Sequence, residues 1–353
     1  MNTRNYFDER KKKFFIDPNG LSEFANFPKN ALVELTNSCN HACIFCKNAD
    51  QARKSTHLDI DVFSIFIKQA VELGLEELGL YATGEPFMTK GLPDYIKIAK
   101  KSGVLRVYIT TNGALATLPR VKKCVDAGLN SIKFSINASN REDYALIHGS
   151  DDFENVLSNI TQIHHWVQNN NVPLQMLGSC VLVPLLKDRK PQHEQVFRKY
   201  FEDIIYVEAG SQGGQAFDLP FEESVKQAVF GGILSKPRAE RPCQLPWSRV
   251  HLTAEGYLTA CCVDYNLDLV YANIRDANLS ELWNNFKIRS LRTKHLSDSL
   301  GGLLCDQCMN NKAAKFVPLT LVKMELKASN LRHSEQLRLE KRFIKIKSLS
   351  KSK

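Results

Sequence analysis

The 353-residue sequence lacks any apolar run that approaches the roughly 18–20 residues of a membrane-spanning helix. Its N-terminus, MNTRNYFDERKKKFF, is too charged to contain the apolar core of a signal peptide, and we therefore expect a cytoplasmic protein. The sequence also lacks an internal repeat and both glycine-rich phosphate-binding signatures, G-x-G-x-x-G and G-x-x-x-x-G-K-S/T. These absences exclude repeat proteins and the Rossmann and P-loop classes.

The net charge of +9 is concentrated at the end of the chain. Residues 315–353 hold 11 Lys and Arg against 3 Asp and Glu, which leaves a net charge of only +1 for the rest. A nearly neutral body offers no basic patch, so no nucleic-acid partner is expected. The basic tail, with interleaved Leu and Ile, is predicted to be a helix that is either solvated or docked on an acidic partner or an anionic membrane surface.

Six β-rich runs alternate with amphipathic helical segments between residues 31 and 209. Most of the runs are apolar nearly throughout, as in parallel strands that are buried on both faces. We therefore predict an α/β fold, a partial (β/α)6 TIM-like barrel two units short of the complete eight. The predicted strands are Ala31–Thr36, Glu77–Tyr81, Leu105–Thr110, Ser131–Ile136, Leu174–Val183 and Ile204–Glu208.

A second region begins after a boundary that we place near residue 235. It contains the hairpin-like sequence VHLTAEGYLTACC, with Ala254-Glu255-Gly256 at the turn, and a helix around Ser280–Leu291. The predicted organisation is an N-terminal extension over residues 1–30, a barrel over 31–235, a small β-hairpin-plus-helix domain over 236–314 and the basic tail over 315–353.

The ten cysteines are grouped rather than scattered. A reducing cytoplasm disfavours disulfides, and two close groups about 200 residues apart favour two metal sites. The remaining two are isolated. We expect Cys124 to be a helix-core thiol, and Cys180 to lie either in the core or in the barrel lumen.

The first group, Cys39-Asn-His-Ala-Cys43-Ile-Phe-Cys46, directly follows the first predicted strand. Three thiolates with C-x3-C-x2-C spacing can hold three corners of a cubane iron–sulfur cluster and leave the fourth iron open for another ligand. A structural zinc site would usually be closed by four protein ligands. His41 lies between the cysteines and has poor reach as that fourth ligand.

With this spacing the sequence resembles the radical S-adenosylmethionine (SAM) enzymes. In that family the open iron binds the amino and carboxylate groups of SAM, and one electron from the cluster cleaves SAM to a 5′-deoxyadenosyl radical. The resemblance spans most of residues 31–314, and its motifs fall at the carboxyl ends of predicted strands, where a parallel barrel builds its active site. Thr83 replaces the first glycine of the family's GGEP loop. The resemblance implies SAM contacts by Phe45 on the adenine, by Thr83, Gly84, Glu85 and Pro86, by Thr111 and Asn112, and by Ser135 and Asn137.

The second cysteine group resembles the SPASM/twitch extension of radical SAM enzymes, which carries auxiliary 4Fe–4S clusters. The resemblance implies one auxiliary cluster, fully ligated by Cys243, Cys261, Cys305 and Cys308. A zinc site closed by four cysteines is the alternative that the spacing permits. Cys262 is expected to point away from Cys261, since adjacent strand residues face opposite sides. It is then either a spare buried thiol or a hydrogen donor that quenches a radical.

The substrate is not named by these motifs. Only about 30 residues precede the first strand, too few for a peptide-leader domain, which favours a small, carbohydrate-like or carrier-bound substrate. We expect dehydrogenation or epimerisation, supported by a flavodoxin- or ferredoxin-like reductant. A peptide-modifying enzyme, either a maturase-like oxidase or a thioether former, is the alternative, and a non-catalytic electron carrier is disfavoured. Candidate catalytic residues are Glu208, Asp218 and Arg249, together with Cys262.

Overall fold

The computed structural model describes residues 6–219, 222–231, 237–238 and 240–322. The end of the basic tail lies outside these residues, so the helix and partners expected of it stay predictions. None of the helices within the described ranges is both long and apolar enough to cross a membrane. The strands are β1 (Asn30–Val33), β2 (Glu77–Gly79), β3 (Arg106–Thr111), β4 (Ser131–Ser135), β5 (Gln175–Leu182), β6 (Asp203–Glu208), β7 (Val250–Leu252), β8 (Tyr257–Thr259) and β9 (Val270–Asn273).

These strands form one sheet with the order β6-β5-β4-β3-β2-β1-β7-β8-β9. Strands β1 to β6 pair in parallel with their neighbours, as the run of βα units predicted. The partial barrel is therefore confirmed. The hairpin of β7 and β8 is also confirmed, whereas the third antiparallel strand, β9, was not predicted.

Twelve α-helices lie within the described residues. Most of those between β1 and β6 pack on one side of the sheet, while α1 precedes β1. The helices are α1 (Tyr6–Lys13), α2 (Ile60–Glu72), α3 (Leu92–Lys101), α4 (Leu118–Asp126), α5 (Arg141–His148), α6 (Phe153–Asn169), α7 (Lys190–Phe197), α8 (Glu223–Phe230), α9 (Leu245–Ser248), α10 (Leu279–Leu282), α11 (Phe286–Leu296) and α12 (Leu304–Asn310).

The helix predicted around Ser280–Leu291 is broken into α10 and α11. The break falls at Asn285, whose side chain accepts hydrogen bonds from the backbone N–H groups of Lys287 and Ile288. An asparagine in this position caps a new helix more readily than it continues an old one. The sequence pattern therefore identified the helical region and missed its interruption.

The two faces of the parallel sheet have different partners. Alternate residues such as Val33, Ile109 and Phe134 belong to the main hydrophobic core under the helices. The residues between them point to the inner, concave face of the barrel. Register places Tyr108 between Gly79 and Ser131 on this face. A Cβ atom on Gly79 would lie 2.3 Å from the Leu32 side chain and 2.9 Å from the Tyr108 ring, so the inner face is closely packed there.

The predicted auxiliary domain continues the same sheet, because β7 pairs in parallel with β1. A buried ionic network reinforces this junction. Arg53, which is 1% exposed, donates hydrogen bonds to the carboxylates of Glu34, after β1, and Glu255, in the β7–β8 turn. Although burial opposes ionisation of Glu34, the charge and hydrogen bonds of Arg53 hold the pKa of this carboxyl below its usual value.

Helix α1 closes the amino-terminal end of the barrel. Arg10 and Lys13 both form ion pairs with Glu77 at the start of β2. The backbone N–H of Phe7 donates to the Asp203 carboxylate at the start of β6, at 3.3 Å. The opposite end of the barrel, where the cysteine loop lies, is therefore the one available to ligands.

Candidate active site

The loop that carries Cys39, Cys43 and Cys46 is held against the end of α5. The backbone N–H of Ala42 donates to the carbonyl of His148 at 3.0 Å, and that of Ile44 donates to the carbonyl of Ile147 at 2.8 Å. These two hydrogen bonds fix the loop backbone to the end of α5, although neither segment belongs to the sheet. They bring all three thiols to the carboxyl ends of the strands.

Each of the three cysteine sulfurs has a hydrogen-bonding side chain from a distant segment. Asn112 Nδ2 lies 3.8 Å from Cys39 Sγ. His148 Nδ1 lies 3.6 Å from Cys43 Sγ, and Tyr265 Oη lies 3.4 Å from Cys46 Sγ. Hydrogen bonds to the ligand sulfurs are one of the factors that set the reduction potential of an iron–sulfur cluster. The residues present therefore fit a cluster held by these three thiolates.

The tautomer of His148 follows from its two partners. The backbone N–H of Asn137 donates to Nε2 at 3.1 Å, so Nε2 is the unprotonated, accepting nitrogen and the ring proton is on Nδ1. This proton then points at the sulfur of Cys43. The ring is fully buried and stacked on Tyr144 with a 4.0 Å centroid separation, which fixes its orientation.

Burial disfavours the metal-free thiolates of Cys39 and Cys46. Desolvation, assisted by the Glu85 charge, raises the pKa of Cys39 to about 12. Desolvation also raises the pKa of Cys46. Bound iron would displace these protons, since metal coordination stabilises the thiolate.

His41 is closer to the cysteines than the sequence suggested. Its ring contacts that of His148 at 5.4 Å, and ligand atoms of His41, Cys43 and His148 all lie within 4.8 Å of one another. However, its Nε2 is bonded to Asp152 at 3.0 Å, and burial lowers the pKa of its imidazole. Because this group shares Cys43 with the three-cysteine loop, it is not a separate site.

The Thr83–Pro86 loop braces the cysteine loop against β3. A Cβ atom on Gly84 would lie 2.1 Å from the backbone oxygen of Thr36, so only glycine fits there. The backbone N–H of Glu85 donates to the carbonyl of Ser38 at 2.8 Å. Its buried carboxylate accepts from the Thr111 hydroxyl at 2.7 Å and from the Asn112 N–H at 2.8 Å. Burial nevertheless raises the pKa of Glu85.

The remaining expected SAM contacts occupy the same edge. The Thr83 hydroxyl donates to Glu34, and the Asn137 side-chain oxygen accepts from the backbone N–H of Val181 at 2.7 Å. Phe45 packs in a smaller hydrophobic core that also includes Ile44. Ser135 ends β4 on the inner face. These placements are compatible with a bound SAM, and the individual contacts stay predictions.

A second cysteine group lies beside β8 and α12. It comprises Cys243, Cys261, Cys262, Cys305 and Cys308. The argument that Cys261 and Cys262 face opposite sides is wrong, because β8 ends at Thr259 and both cysteines follow it. Instead, the Cys261 thiol hydrogen-bonds the Cys262 sulfur, which raises the pKa of Cys261 and lowers that of Cys262.

Arg238 lies against this second group. Its Nη1 donates to Cys308 Sγ at 3.6 Å. Although burial opposes it, the negative potentials of Cys308, Cys243 and Cys261 raise the pKa of Arg238. Arg238 therefore contacts one of the four expected ligands and lies near two others.

Tyr265 lies between the two cysteine groups. Besides its contact with Cys46, its hydroxyl bonds Gln212 Oε1 at 2.8 Å. Burial raises its pKa well above the usual value, with Cys46, Cys262 and Cys261 adding to the shift. No feature of the sequence marked this residue as important.

The structure brings two of the four candidate catalytic residues, Arg249 and Cys262, close to each other. Glu208 is exposed. It lies two residues after Tyr206 on β6, so both side chains are on the same face of the strand. Tyr206 packs against the helices, so this is the outer face. The Asp218 carboxylate accepts from Gln307 of α12 at 3.4 Å. Arg249 and Cys262 lie close enough for Arg249 to lower the pKa of Cys262. The catalytic roles themselves stay predictions.

The two isolated cysteines are placed in hydrophobic surroundings. Cys124 belongs to the main core. Cys180 is buried and in register with Tyr206, so it faces the helices rather than the lumen. Burial raises the pKa of both thiols to about 12.

Residues 33–170 match the radical SAM superfamily, and residues 243–309 match the iron–sulfur cluster-binding domain called SPASM. The chain is therefore a radical SAM enzyme with a SPASM domain on the carboxyl side of its catalytic domain. This combination implies SAM and a 4Fe–4S cluster in the first domain and auxiliary iron–sulfur binding in the second. The domain limits near residues 30, 235 and 314 stay predictions.

Relatives cover most of the chain at low identity. A probable GTP 3′,8-cyclase of Methanococcus maripaludis (strain C7) is 24% identical over 71% of this chain and 87% of its own length. PqqA peptide cyclase of Gluconobacter oxydans is 24% identical over 73% of this chain and 76% of its own length. These relatives act on a small molecule and on a peptide. BtrN in complex with AdoMet and 2-DOIA is similar in fold, with a TM-score of 0.53, 18% identity and coverage of 82% of this chain and 94% of BtrN.

The expected reaction is corrected by these relatives. They are named as cyclases of GTP and of a peptide, so the expectation of dehydrogenation or epimerisation of a carbohydrate-like substrate is wrong. Neither relative is named as a maturase-like oxidase or a thioether-forming enzyme. The error came from the length of the N-terminal extension, which does not report on the substrate pocket.

Proposed function

We propose that this enzyme uses a SAM-derived radical to start the cyclisation of a substrate held on the inner face of the barrel. The observation that carries the proposal is the loop of Cys39, Cys43 and Cys46, whose sulfurs each meet a side chain with hydrogen-bonding capacity. The loop lies at the open end of the barrel, beside the second cysteine group. A substrate between the two groups would be within reach of both.

A 4Fe–4S cluster bound by these cysteines would supply the electron that splits SAM into methionine and a 5′-deoxyadenosyl radical. The protein's own residues set the conditions for this chemistry. Asn112 and His148 would donate to sulfur and stabilise the added negative charge. Glu85 ties the cysteine loop to β3 and so keeps the SAM-binding edge rigid.

Cyclisation accounts for the remaining steps without an external oxidant. In such a reaction a substrate carbon would lose a hydrogen atom, and that carbon would add to an unsaturated carbon of the same molecule. The new bond would be C–C, and the cyclised radical would take up one proton and a second electron from the protein reductant, beyond the electron that cleaves SAM. Both relatives described above are named as cyclases, which supports this reaction class.

The auxiliary group has a distinct part in this proposal. Cys243, Cys261, Cys305 and Cys308 would hold one auxiliary cluster, which could exchange the electron of the final step. Tyr265, which contacts Cys46 and lies next to Cys261 and Cys262, connects the two groups. A flavodoxin- or ferredoxin-like protein would supply electrons to the first cluster.

The proposal is tested with anaerobically reconstituted full-length protein, SAM and dithionite. The wild type should form 5′-deoxyadenosine, measured by liquid chromatography and mass spectrometry. A Cys39→Ala/Cys43→Ala/Cys46→Ala variant should form none. A Cys124→Ala variant, which changes a core thiol of α4, should retain the activity.

The reaction class needs a second measurement. A small-molecule extract of the source cells is incubated with the active protein, and the metabolite that is consumed is compared with its product. The product should have the same mass and one additional C–C bond by NMR. Retained cleavage by the triple-alanine variant contradicts the cysteine assignment, and a product without a new C–C bond contradicts cyclisation.

A further inference from the structure

Two cations on the inner face of the barrel have no carboxylate partner among the described residues. They are Lys133 on β4 and Arg249, immediately before β7. The neighbouring carboxylates are engaged elsewhere: Glu77 with Arg10 and Lys13, and Glu34 with Arg53. Lys133 and Arg249 are both half-buried, and withdrawing a charge from water without a partner is destabilising, so an uncompensated pair in one space calls for an explanation.

The two cations share one region of the lumen. The Lys133 ammonium lies 5.8 Å from the ring centroid of Tyr81 and 6.0 Å from that of Phe7. Burial lowers the pKa of Lys133 to about 8, and the charges of Arg10 and Arg249 contribute to the decrease. At neutral pH the ammonium is therefore still charged. Arg249 also acts on Tyr108, which lies on the same face.

Further hydrogen-bond donors in this region lack partners among the described residues. Thr110 is in register with Lys133, and its buried hydroxyl is unpaired. The Nε of Arg249 is also buried and unpaired. His251, which is 3% exposed and in register with Leu32 on the inner face, borders this region and interacts with Cys262. Buried polar groups are normally satisfied, so an unsatisfied set points to an absent ligand.

We propose that Lys133, Arg249 and Thr110 form an anion site that binds a phosphoryl group of the substrate. This inference rests on the proposed function, because it takes the lumen as the substrate pocket. Two cations and a neighbouring unpaired hydroxyl match the double charge and the multiple oxygens of a phosphate. A single carboxylate would be satisfied by one arginine fork and would leave the other donors unpaired.

The site also gives the substrate an orientation. Arg249 and His251 both lie close enough to Cys262 to lower its pKa, so this side of the site borders the second cysteine group. Lys133 and Thr110 lie on the strands whose carboxyl ends carry Asn112 and Ser135. A phosphoryl group bound deep in the lumen would leave the rest of the substrate extending toward the SAM-binding edge.

The test is a binding measurement that requires no turnover. Isothermal titration calorimetry with pyrophosphate is performed on anaerobically reconstituted full-length wild type, Lys133→Met, Arg249→Met and Lys122→Met. Losing one charged hydrogen bond should weaken binding about 10- to 100-fold in the first two variants. Lys122 is a matched control, because its ammonium lies 5.4 Å from the Trp166 ring on the outer helical layer, and Lys122→Met should bind like the wild type.

Further readouts separate the site from a structural role. Removing an unpaired buried charge should leave the thermal midpoint of Lys133→Met at or above that of the wild type. Unchanged pyrophosphate affinity in both Lys133→Met and Arg249→Met would overturn the proposed anion site. An equal loss of affinity in Lys122→Met would also overturn it. Succinate binding as tightly as pyrophosphate would overturn the phosphoryl assignment. The same wild-type preparation is assayed for 5′-deoxyadenosine. Failure of SAM cleavage would contradict the proposed function, whereas the pyrophosphate titration would still report on the anion site.

Discussion

A single histidine proton contributes to the environment of the three-cysteine loop. The Asn137 N–H occupies Nε2 of His148, which leaves Nδ1–H for the sulfur of Cys43. A hydrogen bond to a ligand sulfur stabilises the reduced cluster more than the oxidised one, because the reduced cluster carries more negative charge. His148 is therefore a positioning residue that we expect to raise the cluster's reduction potential.

A His148→Phe substitution should lower the midpoint potential of the first cluster. The loss of a hydrogen bond worth about 1 kcal/mol corresponds to roughly 40 mV for one electron. Redox titration monitored by electron paramagnetic resonance measures the shift. Tyr144→Phe keeps the neighbouring ring of the stack and removes a hydroxyl without a hydrogen-bond partner among the described residues, so it should leave the potential unchanged. Equal potentials in wild type and His148→Phe would refute this role.

At the scale of elements, the junction between β1 and the β7–β8 hairpin depends on one buried guanidinium. Arg53 lies in the segment that follows the cysteine loop and holds one carboxylate from each element. The guanidinium is planar and carries five donors, which suits it to two carboxylates at once. Removing it would leave Glu34 buried without its cation.

We expect Arg53→Met to lower the free energy of unfolding by about 3–5 kcal/mol, because breaking a buried ion pair leaves an uncompensated charge. Urea unfolding of the reconstituted protein, followed by circular dichroism, measures the change. Arg141→Met removes an exposed ion pair with Asp151 and should not shift the urea midpoint measurably. Adding Glu34→Gln to Arg53→Met should recover part of the loss. An Arg53→Met midpoint equal to that of Arg141→Met would show that the network contributes no stability.

At the scale of the whole molecule, two cysteine groups that are far apart in the sequence both lie next to Tyr265. Cys46 and Tyr265 are separated by 219 positions and are in contact. The shared sheet explains this, since the parallel pairing of β7 with β1 brings the SPASM domain beside the loop that follows β1. The two domains are therefore expected to act as one unit.

Two separate clusters predict the iron content of the protein. Reconstituted wild type should bind roughly eight iron atoms per chain, since each cubane holds about four. The Cys39→Ala/Cys43→Ala/Cys46→Ala variant should retain about half of this iron, and a variant with Cys243, Cys305 and Cys308 changed to alanine should retain the other half. Colorimetric iron analysis with Mössbauer spectroscopy measures both. Four iron atoms in the wild type would contradict the second cluster, and tightly bound zinc in its place would support the four-cysteine zinc alternative.

The sequence by itself determined the features that depend on short spacing. Strand positions follow from local apolar runs, and the partial barrel follows from their alternation with helices. The three-cysteine loop is visible because its three ligands happen to lie close together in the sequence, between Cys39 and Cys46. For the same reason the class of enzyme could be predicted and was confirmed, whereas the helix break at Asn285 was missed, since capping competes with an otherwise continuous helical pattern.

Only the tertiary structure decided which distant residues share a space. Lys133 and Arg249 are brought to one lumen by strand register, and a change of one residue in that register would turn either side chain to the opposite face. The contact of Cys261 with Cys262 depends on where β8 ends, and that of Tyr265 with Cys46 depends on the pairing of β7 with β1. A substrate pocket takes one or two residues from each of many strands, so no local spacing encodes it. That is why the sequence predicted the radical chemistry correctly and the substrate wrongly.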